Sequence, residues 1–292
     1  MELITILLPQ LLHGLVWGMA IALIALGLTI VFGMLDVVNF AHGELYMLGA
    51  YFGYVIIQVS HNFWLALCIS VVGMGVIGII IEVILFRPLY GRDSSFHLLL
   101  TFGLGIIFRE IARLVWGGNT LRVDMPISTT VNFLDMTYPL YRLFILGISI
   151  LFIGAIIYIF NKTEIGSTIK AAAYDRQMAS SLGIDVRKLY TIVFCAGAAL
   201  AALSGVLMSP IYFVYPTMGI DAILRAFIVV IVGGMGSVLG AVAASILIAE
   251  VESLLSLIIS PTMAETMVFG VLIASMILKP DGLFSKTGKR EG

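Results

Sequence analysis

LITILLPQLLHGLVWGMAIALIALGLTIVFGML, from Leu3 to Leu35, runs 33 residues without an Asp, Glu, Lys or Arg. A helix needs about 20 mostly apolar residues to cross the hydrocarbon of a bilayer, so this run decides the class of the protein. Uncharged stretches recur from Leu45 to Ile81, from Leu189 to Ile220 and from Ala226 to Ala249. Over its 292 residues the chain is 61% hydrophobic and 11% charged, where ordinary soluble domains are roughly 45–50% and about 25%. This composition predicts an all-α polytopic transmembrane bundle of about eight to ten spans, some of them broken at glycine.

Working outward, spans are expected near residues 11–33, 40–58, 63–86, 96–116, 141–160, 189–213, 220–234, 238–258 and 261–278, within one membrane domain covering 1–292. No stretch is long enough for a soluble catalytic domain. Glu2 is the only charge before the first span, so the basic region of a cleavable signal peptide is missing. The net charge of −1 carries no nucleic-acid signal. Cys68 and Cys195 lie in apolar spans and are expected to pack rather than react.

The lysines and arginines set the orientation. Segment 161–188 holds five of them and the tail from Lys279 to Arg290 holds four, while none precedes the first span. Short loops rich in Lys and Arg stay in the cytoplasm. With the N-terminus outside and nine crossings, 87–95, 161–188 and the tail lie inside. The loop 117–140 lies outside, its Arg122 balanced by Asp124 and Asp135. Arg109 and Arg113 weaken this asymmetry without overturning it.

Segment 164–188 is the polar island of the chain. Ile169, Ala172, Ala173, Ala179 and Leu182 recur near helical spacing, with Lys170, Asp175, Arg176 and Gln177 facing elsewhere. Gly183 suits a helix stop. Small alanines would let such a helix seat in the groove of a partner; an amphipathic loop lying on anionic lipid is the alternative.

Two segments, Gly27 to Ala50 and Ala226 to Ser245, each join an apolar run, a glycine-containing break and a helix of small residues. Broken helices at matching places in two halves mark internally repeated transporters. The first break carries Asp36, Asn39, His42 and Glu44. Ionisable groups at membrane depth usually face a cavity or the protein interior, so this is either a translocation path or gate, or an interfacial turn capped by Asp36 or Asn39. Asn39 and His42 would share a face if the turn is helical.

Gly233, Gly234 and Gly236 form the second break, GGMGS. It lacks the Lys and Ser/Thr of a phosphate-binding loop, so a tight turn or close helix approach is expected, and no nucleotide site follows. The histidines His13, His42, His61 and His97 show no metal-ligand spacing. Glu82, Glu250 and Glu252 fall near span ends, with Glu250 expected to snorkel. No mid-membrane carboxylate or cation site stands out for an ion-coupled secondary carrier, the rival class, and a passive channel would not need the cytoplasmic segment.

Asn39-Phe40-Ala41-His42-Gly43-Glu44 with MLGAY at 47–51, AAAYDRQMASSLGIDV followed by AGAALAALSGVL, GGMGSVLGA, and the terminal KPDGLF together resemble the permeases of branched-chain amino acid ABC importers, nearest the LivH-type subunit. The likeness covers nearly the whole chain in order. One departure is that Ala171 to Tyr174 stand where family members often show Cys and Ala.

The resemblance implies a non-catalytic subunit of the bacterial or archaeal cytoplasmic membrane, embedded in lipid and binding no nucleic acid. It would import branched-chain or other hydrophobic amino acids, although relatives also carry urea, amides or other amino acids. The implied partners are a second, LivM-like permease as heterodimer, two cytoplasmic ATPases and an extracytoplasmic binding protein. No cofactor is expected in this chain; ATP and Mg2+ would belong to the ATPases. By the same likeness Gly166, Lys170, Ala172, Asp175, Arg176, Met178, Ala179, Leu182 and Gly183 would contact the ATPase.

Overall fold

A computed structural model describes residues 2–133, 136–279 and 282–284. Asp135, Pro280, Asp281, Lys286, Lys289 and Arg290, used in the charge and motif readings above, lie outside the described residues. The helices are α1 (Glu2–Leu35), α2 (His42–Ser60), α3 (Phe63–Ile81), α4 (Ser94–Trp116), α5 (Leu140–Lys162), α6 (Glu164–Tyr174), α7 (Arg176–Ser181), α8 (Val186–Met208), α9 (Met218–Gly233), α10 (Val238–Leu255) and α11 (Pro261–Leu278). A π-helical turn, Glu82–Phe86, and a 3-10 turn, Arg87–Leu89, prolong α3. Between α4 and α5 two strands, β1 (Thr130–Phe133) and β2 (Met136–Pro139), pair antiparallel.

Lipid tails are as apolar as leucine, so helices in a membrane associate by close contact and hydrogen bonding rather than by escape from water. The packing here follows that rule. On α1, Gly14 and Gly18 stand four apart and face Ser245, Ala249 and Ser253, also four apart, on α10. A methyl on Gly18 would stand 2.9 Å from the Ser245 carbonyl oxygen, so the two backbones are in contact. Ser253 Oγ adds a 2.7 Å bond to the Gln10 carbonyl.

Helix α8 does the same on its other sides. Its Gly197 meets Gly27 of α1, Ala202 meets Gly49 of α2, and Ala198 meets Gly78 of α3. Ser204 Oγ donates to the Ala20 carbonyl at 2.8 Å, and Tyr141 on α5 donates to the Leu207 carbonyl at 2.7 Å. These hydroxyls are thereby satisfied where no water is at hand. Within its most apolar window α1 is 83% buried, against 17% for α5 and α11, so α1 is the central post and the other two are peripheral.

Among the described residues nine helices lie where the sequence predicts spans. Six of the nine are long and apolar enough to cross unaided: α1, α3 with its extension, α5, α8, α10 and α11. Helix α9, at 16 residues, covers about 24 Å at 1.5 Å per residue, short of the ~30 Å hydrocarbon core. Helix α4 carries Arg109, Glu110 and Arg113, which dilute its hydropathy.

Two expectations need correction. Segment 164–188 is not one helix: Asp175 leaves the helical conformation at φ −147°, ψ 103°, ending α6, and its side chain then caps α7 by accepting from Met178 N at 2.8 Å. Asp competes with the backbone in this way wherever a chain can turn. Cys68 does not pack: it is exposed on α3, while Cys195 is half-buried against Gly75.

Candidate functional site

The break after α1 opens with Asp36 in the left-handed region, φ 56°, its N–H still bonded to Phe32 O at 2.8 Å. The cap position of α2 is taken by Ala41 rather than by Asp36 or Asn39. Asn39 Oδ1 accepts from Ala41 N at 3.1 Å, one residue before the helix, and Ala41 occupies the cap position without a side-chain bond. The chain between Leu35 and His42 doubles back along α1. His42 Nε2 lies 3.2 Å from the Ile24 carbonyl oxygen, and its ring packs at Gly27, opposite Gly197 in the middle of α8. Helix α2 therefore starts deep in the bundle.

Asn39, His42 and Glu44 are all buried, at 1%, 0% and 2% exposure, yet the fold does not gather them. His42 faces α1 and α8. Glu44, two residues on, points the other way, to α4 and α9: Arg109 Nε and Nη2 donate to its Oε1 at 3.2 and 3.1 Å, and its Oε2 rests against Gly219 in the first turn of α9. Asn39 precedes the helix and is joined to it by the 3.2 Å bond from His42 N to its carbonyl oxygen. Glu44 is a carboxylate well inside the bundle, one of the ionisable groups that the first break carries.

The second break is a turn. Gly234 and Gly236 take φ of 96° and 83°, values open to glycine, and Ser237 Oγ caps α10 by accepting from Gly240 N at 3.1 Å. Gly233 packs on Gly240 across the turn. Gly282 of the terminal element sits on Gly234, and Leu283 N donates to Val232 O at 2.8 Å. The two breaks touch, Gly33 against Gly236.

On segment 164–188 Ala172 and Ala179 face inward, Ala173 is half-buried and Ala171 exposed. Gly166, Ile169, Ala172 and Ala179 are buried against the chain's own helices, Gly166 on the Ile159–Phe160 backbone of α5. These four are covered by the chain itself. The outward face is Lys170, Tyr174, Asp175, Arg176, Met178 and Leu182, with Tyr174 95% and Leu182 75% exposed. Gly183, at φ 84°, closes α7, its N–H bonding Ser180 O while Ile184 N bonds Ala179 O, the paired arrangement of a glycine-terminated helix. An open recess beside it is lined by Arg176, Gln177, Ser180, Asp185 and Arg187.

Two further polar clusters were not foreseen. Glu82, fully buried at the start of the π turn, accepts on both oxygens: Arg87 Nε and Tyr90 on Oε1, Arg87 Nη2 and Thr191 on Oε2, all between 2.7 and 3.3 Å. Tyr90 meets the Tyr190 ring edge-on at 4.8 Å, and Arg176 lies over that ring at 5.8 Å. Toward the other end, Arg225 bonds both oxygens of Glu252 at 2.9 and 2.7 Å, pairs with Glu265 at 2.7 Å, and covers Trp17. Nearby Tyr215 donates to Asp221, and burial pushes its phenol up to about 12. Glu250 does not snorkel: its Oε2 is buried against Gly14. The signal for all of these was a charge inside an apolar run, but sequence alone does not show its partner.

The loop between α4 and α5 is anchored too. Leu121 and Val214 exchange backbone bonds of 2.8 and 2.9 Å, tying 117–140 to the link before α9. Among the described residues no cluster of His, Cys, Asp or Glu is arranged to hold a metal.

Comparison with known proteins is consistent along the whole chain. Residues 10–276 match the family described as branched-chain amino acid transport system, permease component. The high-affinity branched-chain amino acid transport system permease protein BraD of Pseudomonas aeruginosa is 28% identical over 296 residues, covering 96% of each chain. LivH of Escherichia coli K12, of the same description, is 29% identical over 295 residues with the same coverage. LivM of Escherichia coli K12 is 25% identical, with 91% of this chain and 68% of LivM covered. No solved structure matches.

Proposed function

The chain belongs to the branched-chain amino acid permease family, and from that premise we propose that it is the LivH-type membrane subunit of an ATP-driven importer of branched-chain or other hydrophobic amino acids. It is a multi-pass membrane protein, placed by this reading in the cytoplasmic membrane beside a homologous second permease. ATP hydrolysis falls to two cytoplasmic ATPases, and substrate is delivered by an extracytoplasmic binding protein docking on 117–140.

The observation that carries this reading is the outward face of α6 and α7. Tyr174, Met178 and Leu182 are large apolar side chains left uncovered beside Lys170, Asp175 and Arg176 on a polar segment. Exposed apolar groups rimmed by charge mark protein contacts, and an ATPase seated there would pull on α5 and α8 through the flanking helices. Around a permease pair, such pulling would rock the membrane halves about a central path.

The test is co-expression with a second permease and two ATPases of the same family. A stable complex that takes up labelled leucine into proteoliposomes, given ATP and binding protein, bears the reading out. A chain that purifies without an ATPase, or that moves leucine on an ion gradient alone, sinks it.

A further inference from the structure

Three carboxylates paired with arginine lie largely inside the bundle: Glu44, Glu82 and Glu252. Two of them are complete. Glu82 receives donors on both oxygens, and so does Glu252. Glu44 is not: Arg109 Nε and Nη2 both fall on Oε1, and the buried Oε2 has no partner among the described residues. An unpaired carboxylate oxygen in a low-dielectric interior is costly, and an incomplete ion pair at membrane depth is more often a working group than a brace.

Arg109 adds a second observation. Its side chain is 25% exposed, and it lies seven and three residues after Phe102 and Ile106, themselves 61% and 45% exposed, so all three share one face of α4. Trp116 ends the helix seven residues further on, about 10 Å at 1.5 Å per residue. A guanidinium at that depth is not left facing lipid tails, and here it turns inward to Glu44 instead of rising to the helix end. Gly105, about one turn before it, leaves room beside it: only Glu44 Cγ at 3.8 Å and Arg109 Nη2 at 3.9 Å approach a methyl built there.

We propose that the Phe102–Ile106–Arg109 face of α4 borders a water-filled passage, and that Arg109 and Glu44 form a transient site for the backbone of a zwitterionic amino acid. The inference rests on the importer reading for its substrate, but not for its water. Arg109 takes the α-carboxylate, for which a planar fork of N–H donors is suited. Glu44 Oε2 takes the α-ammonium once α9, whose Gly219 covers that oxygen, draws away from α2. Both the pair and the ligand are net neutral, so the exchange brings no net charge into the membrane. The site reads only the backbone groups common to all amino acids, which leaves side-chain selection to the protein that delivers them.

The experiment uses the full complex in proteoliposomes, with Cys68 and Cys195 first replaced by serine. Ile106→Cys is exposed to a charged, water-soluble thiol reagent in the nucleotide-free and the vanadate-trapped state; Leu151→Cys, 63% exposed at the middle of α5, is the lipid-facing control. Modification of Ile106→Cys in either state, with the control reacting only with a lipid-soluble maleimide, supports the passage. Failure of Ile106→Cys to react with the charged reagent in both states overturns it.

For the site, Arg109→Lys and Glu44→Gln are assayed for leucine uptake per inserted complex. A KM raised at least tenfold, with ATP hydrolysis retained, is expected. An unchanged KM in both variants refutes the site. If the parent complex imports no leucine, the importer reading fails, while the labelling still decides the passage.

Discussion

Gly33 near the end of α1 and Gly236 in the turn before α10 meet without a side chain between them: a methyl built on Gly33 would stand 3.4 Å from the Gly236 Cα. Two breaks some 200 residues apart in sequence therefore share one contact, although only one of the two glycines is needed for its conformation. Gly33 is helical. Gly236 sits at φ 83°, where a side chain is strained. Gly33→Ala should be neutral or slightly stabilising, and Gly236→Ala should cost about 1–2 kcal/mol, read as thermal unfolding in detergent. Equal losses at both positions would show that the contact, rather than the backbone, sets the requirement.

Sidedness follows from the charges and the exposed sites. Ser167 on α6 and Thr130 on β1 are both exposed. Cysteines placed there should label from opposite faces of sealed membranes, Ser167 from the cytoplasm. Labelling from one side would require an even number of crossings between them and break the nine-span topology.

Docking and folding separate on the coupling segment because its two faces differ. Tyr174→Ala and Leu182→Asp should cut co-purification of the ATPase at least tenfold at normal insertion. Ala172→Leu, on the buried face, should reduce insertion instead, since overpacking a filled site costs about 1–3 kcal/mol. Loss of ATPase binding in Ala172→Leu alone, with insertion intact, would put the contact on the inward face.

The clasp at Glu82 is expected to be structural. Glu82→Leu removes the acceptor of all four donors, leaving Arg87 only Thr191 Oγ1 and Thr191 only the Arg187 carbonyl, whereas Tyr90→Phe removes one donor of four. Melting temperature should fall clearly in the first and slightly in the second, because a broken pair costs more than a missing hydrogen bond. The reverse order would mean that the carboxylate is not the centre of the network.

The sequence made the spans legible because composition and length suffice to mark them. The polar segment and the two glycine breaks were legible for the same reason: each interrupts a uniform background. What stayed hidden depends on distance along the chain. Glu44 finds Arg109 65 positions away and Arg225 finds Glu252 27 positions away, and no local pattern encodes either. Periodicity showed that Ala172 and Ala179 share a face with Ile169, but not that the face turns inward. The missed break at Asp175 had a signal, an Asp followed three residues later by the N–H it caps, which a run of alanines obscured.

The π turn from Glu82 to Phe86 can be reckoned as a length. Its hydrogen bonds skip five residues instead of four, so the chain holds one residue more here than a regular helix between the same ends. Removing one residue from Val83–Leu85 would leave the number that ordinary winding needs between the same ends, so Arg87 and Tyr90 can keep their places beside Glu82. A residue removed from the regular part of α3 has no such slack and would turn everything beyond it by about 100°. The helix carries a spare residue at this point, and the loss of one residue is the change of length it can absorb.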